Sequence, residues 1–392
     1  MEKFLDDAQA LFEYTRDLRR DFHKYPELGF KEIRTANIIA KELTNLGMEV
    51  KTGVGQTGVV ALLEGKESGP VVLLRFDMDA LPIQEETGAE YASVNDGIMH
   101  ACGHDGHIAI GLTVARLLND HRSEFKGTVK LVFQPAEEGL GGAERMIADG
   151  ILHSPAPDVV LALHVWNEKP VGWIGIVPGP TMAAADTFYV RIIGKGGHGA
   201  VPNLCNDPVL AAAQVINSLQ SIVSRNVSPL KAAVVTVASI HGGEAFNVIP
   251  SEVELKGTIR SFESTVRDRV VLRLEQIIVN ITHAMECESQ IEIKSIMPAV
   301  VNHPEITKRV QQVASKLLPN DQFDFHTVTM GSEDIAYVLQ QIPGCYFFIG
   351  SANKEKNLDA SHHHSKFDFD ESILPKAAGL MVASALEFLG KG

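Results

Sequence analysis

Apolar side chains recur along this chain at two periods, and the alternation between them predicts its elements. Residues 4–24 place Leu11, Leu18 and Phe22 at helical spacing and read as an amphipathic helix, broken by His23-Lys24-Tyr25-Pro26-Glu27. A second helix is predicted over 31–46, ended by Gly47. Short continuous apolar runs at 59–63, 71–76, 128–133 and 159–163 read as buried strands, with helices at 108–118 and 142–149 between them. Three of these runs discharge into polar residues: Asp77-Met78-Asp79, Gln134-Pro135-Ala136-Glu137-Glu138, and His164. Apolar strands separated by helices predict an α/β fold with a largely parallel or mixed sheet flanked by helices. Sites in such sheets gather outside the carboxyl ends of the strands.

The middle of the chain changes character. Strands at 187–194, 232–241, 252–262 and 289–296 alternate with helices at 207–224 and 265–285. The order β-α-β-β-α-β is that of a ferredoxin-like α+β unit. Pro178-Gly179-Pro180 and Pro298 mark its hinges, so the expected organisation is 1–183, an inserted domain at 184–297, and 298–392. Alternation then resumes with helices near 304–317 and 333–341, a strand at 345–349 and a helix at 372–389.

Of the 392 residues, 45% are hydrophobic and 21% charged, which is globular composition; the formal charge of −14 argues against nucleic-acid binding. The acidic N-terminus, lacking an apolar core, is not expected to act as a signal peptide, and no apolar run reaches membrane-spanning length. Cys102, Cys205, Cys287 and Cys345 lie far apart with no disulfide framework, so a cytoplasmic location is expected.

The densest chemistry is His100-Ala101-Cys102-Gly103-His104-Asp105-Gly106-His107, just before the helix at 108–118. A helix N-terminus and nearby cations are expected to lower a thiol pKa there. Thiolate and imidazole together form a donor set for a divalent transition metal. Glu138, His164 and one of His362 to His364 join Cys102 and His104 as donors at strand ends. Five ligands exceed one tetrahedral ion, so two metals sharing a bridging group are the economical reading. In the Glu137-Glu138 pair, one carboxylate can bind metal while its neighbour stays free as a general base.

The chain resembles the aminoacylase/hippurate-hydrolase branch of the dinuclear metallopeptidases, which includes N-acyl-amino-acid amidohydrolases and auxin-conjugate hydrolases. The matching segments include Phe22-His23-Lys24-Tyr25-Pro26-Glu27-Leu28, Arg75-Phe76-Asp77-Met78-Asp79-Ala80-Leu81-Pro82, His100 to His107 and Gln134 to Gly139. Leu163-His164-Val165-Trp166, Gly194 to Ala200, Phe246 to Pro250, Gly257 to Arg260, Gly331-Ser332-Glu333-Asp334 and Phe367 to Glu371 continue them in order. The resemblance implies a zinc-exopeptidase-like sheet with a ferredoxin-like lid and dimerisation domain. It implies metal ligands at Cys102, His104, Glu138, His164 and His363, with Cys102 bridging and Glu137 as catalytic base and acid.

His198 corresponds to a histidine that polarises the substrate across a dimer interface, and Asn247 and Arg260 to groups that hold the substrate. An arginine fork suits a free carboxylate, although Arg260 could instead pair with Glu254. His107 is expected to pack or support a ligand, Asp79 to orient a ligand or the Glu137 region, and Trp166 and Phe246 to serve as pocket wall or core. Ser365 stands where the family commonly has Pro, and Asn203 where it often has His; the register on Phe367 selects His363, with His362 as the fallback.

The expected activity is hydrolysis of the amide bond of N-acetyl, N-benzoyl or other N-acyl amino acids. The rivals are a carboxypeptidase or dipeptidase, a biosynthetic deacetylase, and a non-catalytic relative. The cofactor expectation is two divalent ions, zinc or manganese, with cobalt or nickel as alternatives. The partners expected are a small-molecule substrate and a second copy of the chain in a homodimer or dimer-based oligomer.

Overall fold

The structure is a computed structural model that describes residues 2–391. It separates into two compact units. The first comprises the described residues up to Gly179, Val301–Val328 and those from Glu333 onward; the second comprises Pro180–Val300 and Thr329–Ser332.

The first unit is built on an eight-stranded mixed sheet. Its strand order is Glu49–Val54, Gly58–Glu64, Thr128–Gln134, Val71–Asp77, Val159–Pro170, Gly344–Ala352, Trp173–Gly175, Gln322–Asp324. The four strands that begin at Thr128, Val71, Val159 and Gly344 run parallel to one another. Every residue of Val71–Asp77 is buried, as a central strand covered on both faces requires. Asp77 lies opposite Gln134 and Arg75 opposite Ala162, so His164 emerges level with Asp77 on the next strand.

Helices His104–Asp120 and Leu374–Phe388 pack on each other and on the Val71 strand. The predicted helix over 4–24 is two helices, Glu2–Ala10 and Phe12–Lys24, because Leu11 turns the chain between them (φ −94°, ψ 8°). Apolar spacing continues across that turn, which is why the pattern alone missed it. Glu49–Val54 also escaped prediction: it is largely exposed and carries no apolar period.

The second unit has a four-stranded antiparallel sheet in the order Ala233–His241, Glu252–Ser261, Ala184–Ile193, Glu288–Met297. Helices Pro208–Ser221 and Ser264–Ala284 complete a β-α-β-β-α-β chain. Phe188, Val190 and Ile192 alternate along their strand and pack with Ala211, Val215 and Leu219 of one helix and Val270, Leu274 and Ile278 of the other. Asp207 caps the first helix, its side chain accepting the Val209 and Leu210 N–H groups, with Pro208 at the first helical position. No helix among the described residues is long and apolar enough to cross a membrane.

Candidate metal centre and catalytic carboxylate

Six of the nine predicted site residues lie in the first unit: Cys102, His104, Glu137, Glu138, His164 and His363. Donor atoms of Cys102, His104 and His164 lie within 4.8 Å of one another, and so do those of Cys102, Glu138 and His363. The five expected ligands thus form two triads that share the Cys102 sulfur. Glu137 belongs to a third group of the same dimension, with His104 and Glu138.

Unusual backbone brings these side chains together. Gly103 adopts φ 91°, and a Cβ there would lie 2.3 Å from Val165 Cγ2, so only glycine lets the helix begin against that strand. His363 (φ 65°) and Ala136 (φ 54°) are non-glycine residues in the left-handed region, the first a member of the cluster and the second next to Glu137. The His363 N–H donates to Ala101 O at 2.8 Å, tying the C-terminal loop to the Cys102 segment.

Hydrogen bonds fix which ring nitrogens are free. His104 Nδ1 donates to Asp79 O (3.0 Å), while its buried Nε2 has no hydrogen-bond partner. His164 Nδ1 donates to Val165 O (2.5 Å), leaving Nε2 at 3.5 Å from Cys102 Sγ. His363 Nε2 lies 3.2 Å from Glu138 Oε1. His107 uses both nitrogens, Nδ1 toward Asp77 and Nε2 accepting the Val165 N–H (2.9 Å), so it supports the site and offers no free lone pair. His362 accepts the Asn167 N–H on Nε2 (3.0 Å), and its Nδ1 lies 3.8 Å from Cys102 Sγ. Asp79 also accepts the Glu138 N–H on Oδ2 (3.1 Å).

The electrostatics correct one expectation. Burial, and then Glu138, Glu137 and Asp77, push the Cys102 thiol well above its ordinary value. Burial and the carboxylates outweigh any lowering by the helix terminus. Burial pulls the His104 imidazolium down, but Asp77, Asp79 and Glu138 overcome it and raise the pKa to about 10. Burial, Glu333, Glu138 and Asp334 push the Glu137 carboxyl well up against the pull of Arg75. Around the thiol, Asp77, Asp79, Glu137, Glu138, Glu333 and Asp334 outnumber their cationic partners Arg75, His104 and His363, so the cluster is short of positive charge. Divalent cations held by the donor triads fit that shortage.

Beside Glu137 lies a buried ion-pair network to which the sequence pattern gives no role. The Arg75 guanidinium bonds Gln134 Oε1 (3.0 Å), Asp77 (2.5 Å), Glu333 (2.9 Å) and Asp334 (3.0 Å). The Tyr346 hydroxyl donates to Glu333 at 2.8 Å. A charged residue inside an otherwise apolar buried strand was the available signal.

The other three predicted residues lie in the second unit. His198 is exposed, its Nδ1 accepting the Ala200 N–H (3.0 Å), and it pairs with Val248 across a short ladder. Asn247 precedes Val248, and its carbonyl accepts the Gly199 N–H at 2.8 Å. Arg260 Nη1 meets the Ile259 carbonyl (3.4 Å), whereas Glu254 takes the Tyr189 hydroxyl, so the Arg260–Glu254 pair does not form. Phe246 is fully exposed, which rules out the core position that was one of its two expected places. Ser365 donates to Glu86 Oε2 (2.7 Å).

The profile of peptidase family M20/M25/M40 matches residues 73–387, and the chain belongs to this family. It is 42% identical over 372 residues to the N-acetyl-L-cysteine deacetylase of Bacillus subtilis, covering 95% of this chain and 87% of that protein. It is 37% identical over 396 residues to thermostable carboxypeptidase 1 of Saccharolobus solfataricus, covering 100% and 99%. The crystal structure of the Bacillus subtilis YXEP protein, described as a dinuclear metal binding peptidase, superposes with a TM-score of 0.84 at 34% identity, covering 96% and 98%. The chain is accordingly a metal-dependent hydrolase of the amidohydrolase and peptidase class.

Proposed function

We propose that the chain hydrolyses the amide bond of N-acyl amino acids with two divalent metal ions. Cys102, His104 and His164 would hold one ion and Cys102, Glu138 and His363 the other, the thiolate being shared. The two donor triads meeting at Cys102, with Glu137 beside them, support this reading. Ions held there would supply the positive charge that polarises a carbonyl and makes water more acidic. A thiolate–imidazole–carboxylate set favours zinc, with manganese next and cobalt or nickel as alternatives.

Glu137 takes a proton from the attacking water on a carboxylate oxygen. The new C–O bond forms, and the proton passes to the amide nitrogen as the C–N bond breaks. Carboxylic acid and free amino acid leave. His198 stabilises the developing oxyanion, Asn247 orients the substrate, and Arg260 binds its free carboxylate. Burial depresses the Arg260 pKa against the raising effect of Asp186; an anionic ligand would meet a guanidinium with charge to share. The inserted domain, 184–297, serves as lid and dimerisation module, so that His198 of one copy would serve the other. Four free cysteines suit a cytoplasmic enzyme.

The kinship to a deacetylase favours acyl amino acids, while that to a carboxypeptidase keeps short peptides as the second reading. Amino-acid release from N-acetyl, N-benzoyl and indole-acyl amino acids and from dipeptides separates the two. Release from the acyl substrates should vanish with chelator and fall about 10³-fold or more in Glu137→Ala. Turnover surviving in Glu137→Ala would sink the assignment, and release mainly from dipeptides would move the enzyme to the second reading.

A further inference from the structure

A second acid, distant in sequence, meets the segment that carries Glu137. Glu32 is fully buried, yet neither oxygen contacts a cation. Its Oε1 accepts the Ala136 N–H at 3.0 Å, and its Oε2 accepts the Thr57 hydroxyl at 2.6 Å. Glu32 occupies the N-cap position of helix Ile33–Asn45, but its side chain caps nothing there. Burial pushes its carboxyl up to about 7, against the lowering hydrogen bonds from Thr57 and the Ala136 amide. Ionising a carboxyl group there costs folding energy that no ion pair repays.

The peptide it holds is itself strained. Ala136 has φ 54°, a conformation that alanine adopts only at a cost, and it immediately precedes Glu137. The Ala136 carbonyl accepts the Gly142 N–H at 3.1 Å, closing the loop behind Glu137 and Glu138. Gly29 allows the approach of the two segments: a Cβ there would lie 3.1 Å from both Ala136 Cα and Cβ. Two costly features, a buried unpaired acid and a left-handed alanine, therefore meet in one hydrogen bond next to the candidate base.

We propose that Glu32 is a positioning residue for Glu137, holding the Ala136 peptide in its left-handed turn so that the Glu137 carboxylate stays beside His104 and Glu138. The inference rests on the reading of Glu137 as the base. Without the Glu32 acceptor, the turn can relax and the base loses its fixed place, which lowers turnover without weakening substrate binding.

The test is steady-state kinetics with the metal-loaded enzyme, together with metal analysis of each variant. Glu32→Ala should lower kcat about tenfold or more, with KM within twofold and metal content as in the wild type. Glu32→Gln keeps an oxygen for the Ala136 N–H and should restore kcat to within about threefold. Thr57→Val, which frees Oε2, should lower kcat two- to fivefold at unchanged KM. If Glu32→Ala does not fold, the other two variants decide.

Wild-type kcat in Glu32→Ala or Thr57→Val, or a Glu32→Gln enzyme as slow as Glu32→Ala, would overturn the proposal. So would a loss expressed in KM or in bound metal. Glu137→Gln is the control: if it keeps its turnover, the base assignment falls and this inference with it. If it is dead while Glu32→Ala is fully active, this inference alone falls.

Discussion

At the scale of single residues, buried charges divide into those that are paired and those that crowd one point. His23 belongs to the first kind: Nδ1 lies 2.7 Å from Asp105 Oδ2 and Nε2 lies 3.3 Å from Glu85 Oε1. Burial and Arg19 pull its imidazolium down, but Asp105 and Glu85 outweigh them and raise the pKa from 6.5 to about 9. The folded state therefore holds the proton more tightly than the unfolded chain does. The stabilisation is fully present below about pH 6.5 and is lost as pH rises through about 9. His23→Gln should unfold more easily than wild type in urea at pH 6, with a gap that shrinks by about 2–3 kcal/mol by pH 10. A gap independent of pH would refute the charged pairing. Glu138 and His164 could be read from the sequence because each follows the end of an apolar run, and Cys102 and His104 because they stand in a dense run of donors. His363 is singled out among three histidines only by the register on Phe367. Glu32 could not be read there: it sits in a polar helix-start segment, and its partner is a backbone amide 104 residues away, which no side-chain pattern announces.

At the scale of elements, continuous apolar runs made the central strands legible, since strands buried on both faces carry little else. Edge strands such as Glu49–Val54 and Gln322–Asp324 are short or exposed, and pairing with neighbours, not their own composition, makes them strands. Helix His104–Asp120 shows how far packing overrides propensity. Gly111 lies in its interior, where alanine would favour the helix by about 1 kcal/mol. A Cβ at Gly111, however, would lie 2.7 Å from Phe76 Cδ2 and 2.8 Å from Phe133 Cε1. Overpacking of that kind costs about 1–3 kcal/mol, so Gly111→Ala should be net destabilising by about 1 kcal/mol. Urea unfolding at constant metal concentration measures it, and a variant more stable than wild type would show that the two rings can move aside.

At the scale of the whole molecule, each unit has its own apolar core, and only the first also carries the candidate ligands. The core of the second lies between a four-stranded sheet and two helices. The first gathers Asp77, Asp79, Glu137 and Glu138 near His104 and Cys102, where burial and then carboxylates push the Cys102 thiol up and carboxylates raise His104 against the pull of burial. Its carboxylates outnumber the cations Arg75 and His104 among them, so further positive charge is favourable there. A ligand that binds only the native state stabilises it by RT ln(1 + [L]/Kd), about 2.7 kcal/mol at a hundredfold excess over Kd. Chelation should therefore lower the unfolding midpoint of the first unit by roughly 5–10 °C for a unit of this size. Amide exchange resolves where the loss falls. Protection should drop in Val71–Asp77, Thr128–Gln134, Val159–Pro170 and helix His104–Asp120, while Ala184–Ile193 and Glu252–Ser261 keep theirs. An equal loss in both units would mean that metal stabilises the chain through a coupling that the separate cores do not provide. No loss in either would mean that the donor cluster is stable with protons alone, and the two-metal reading would fail with it.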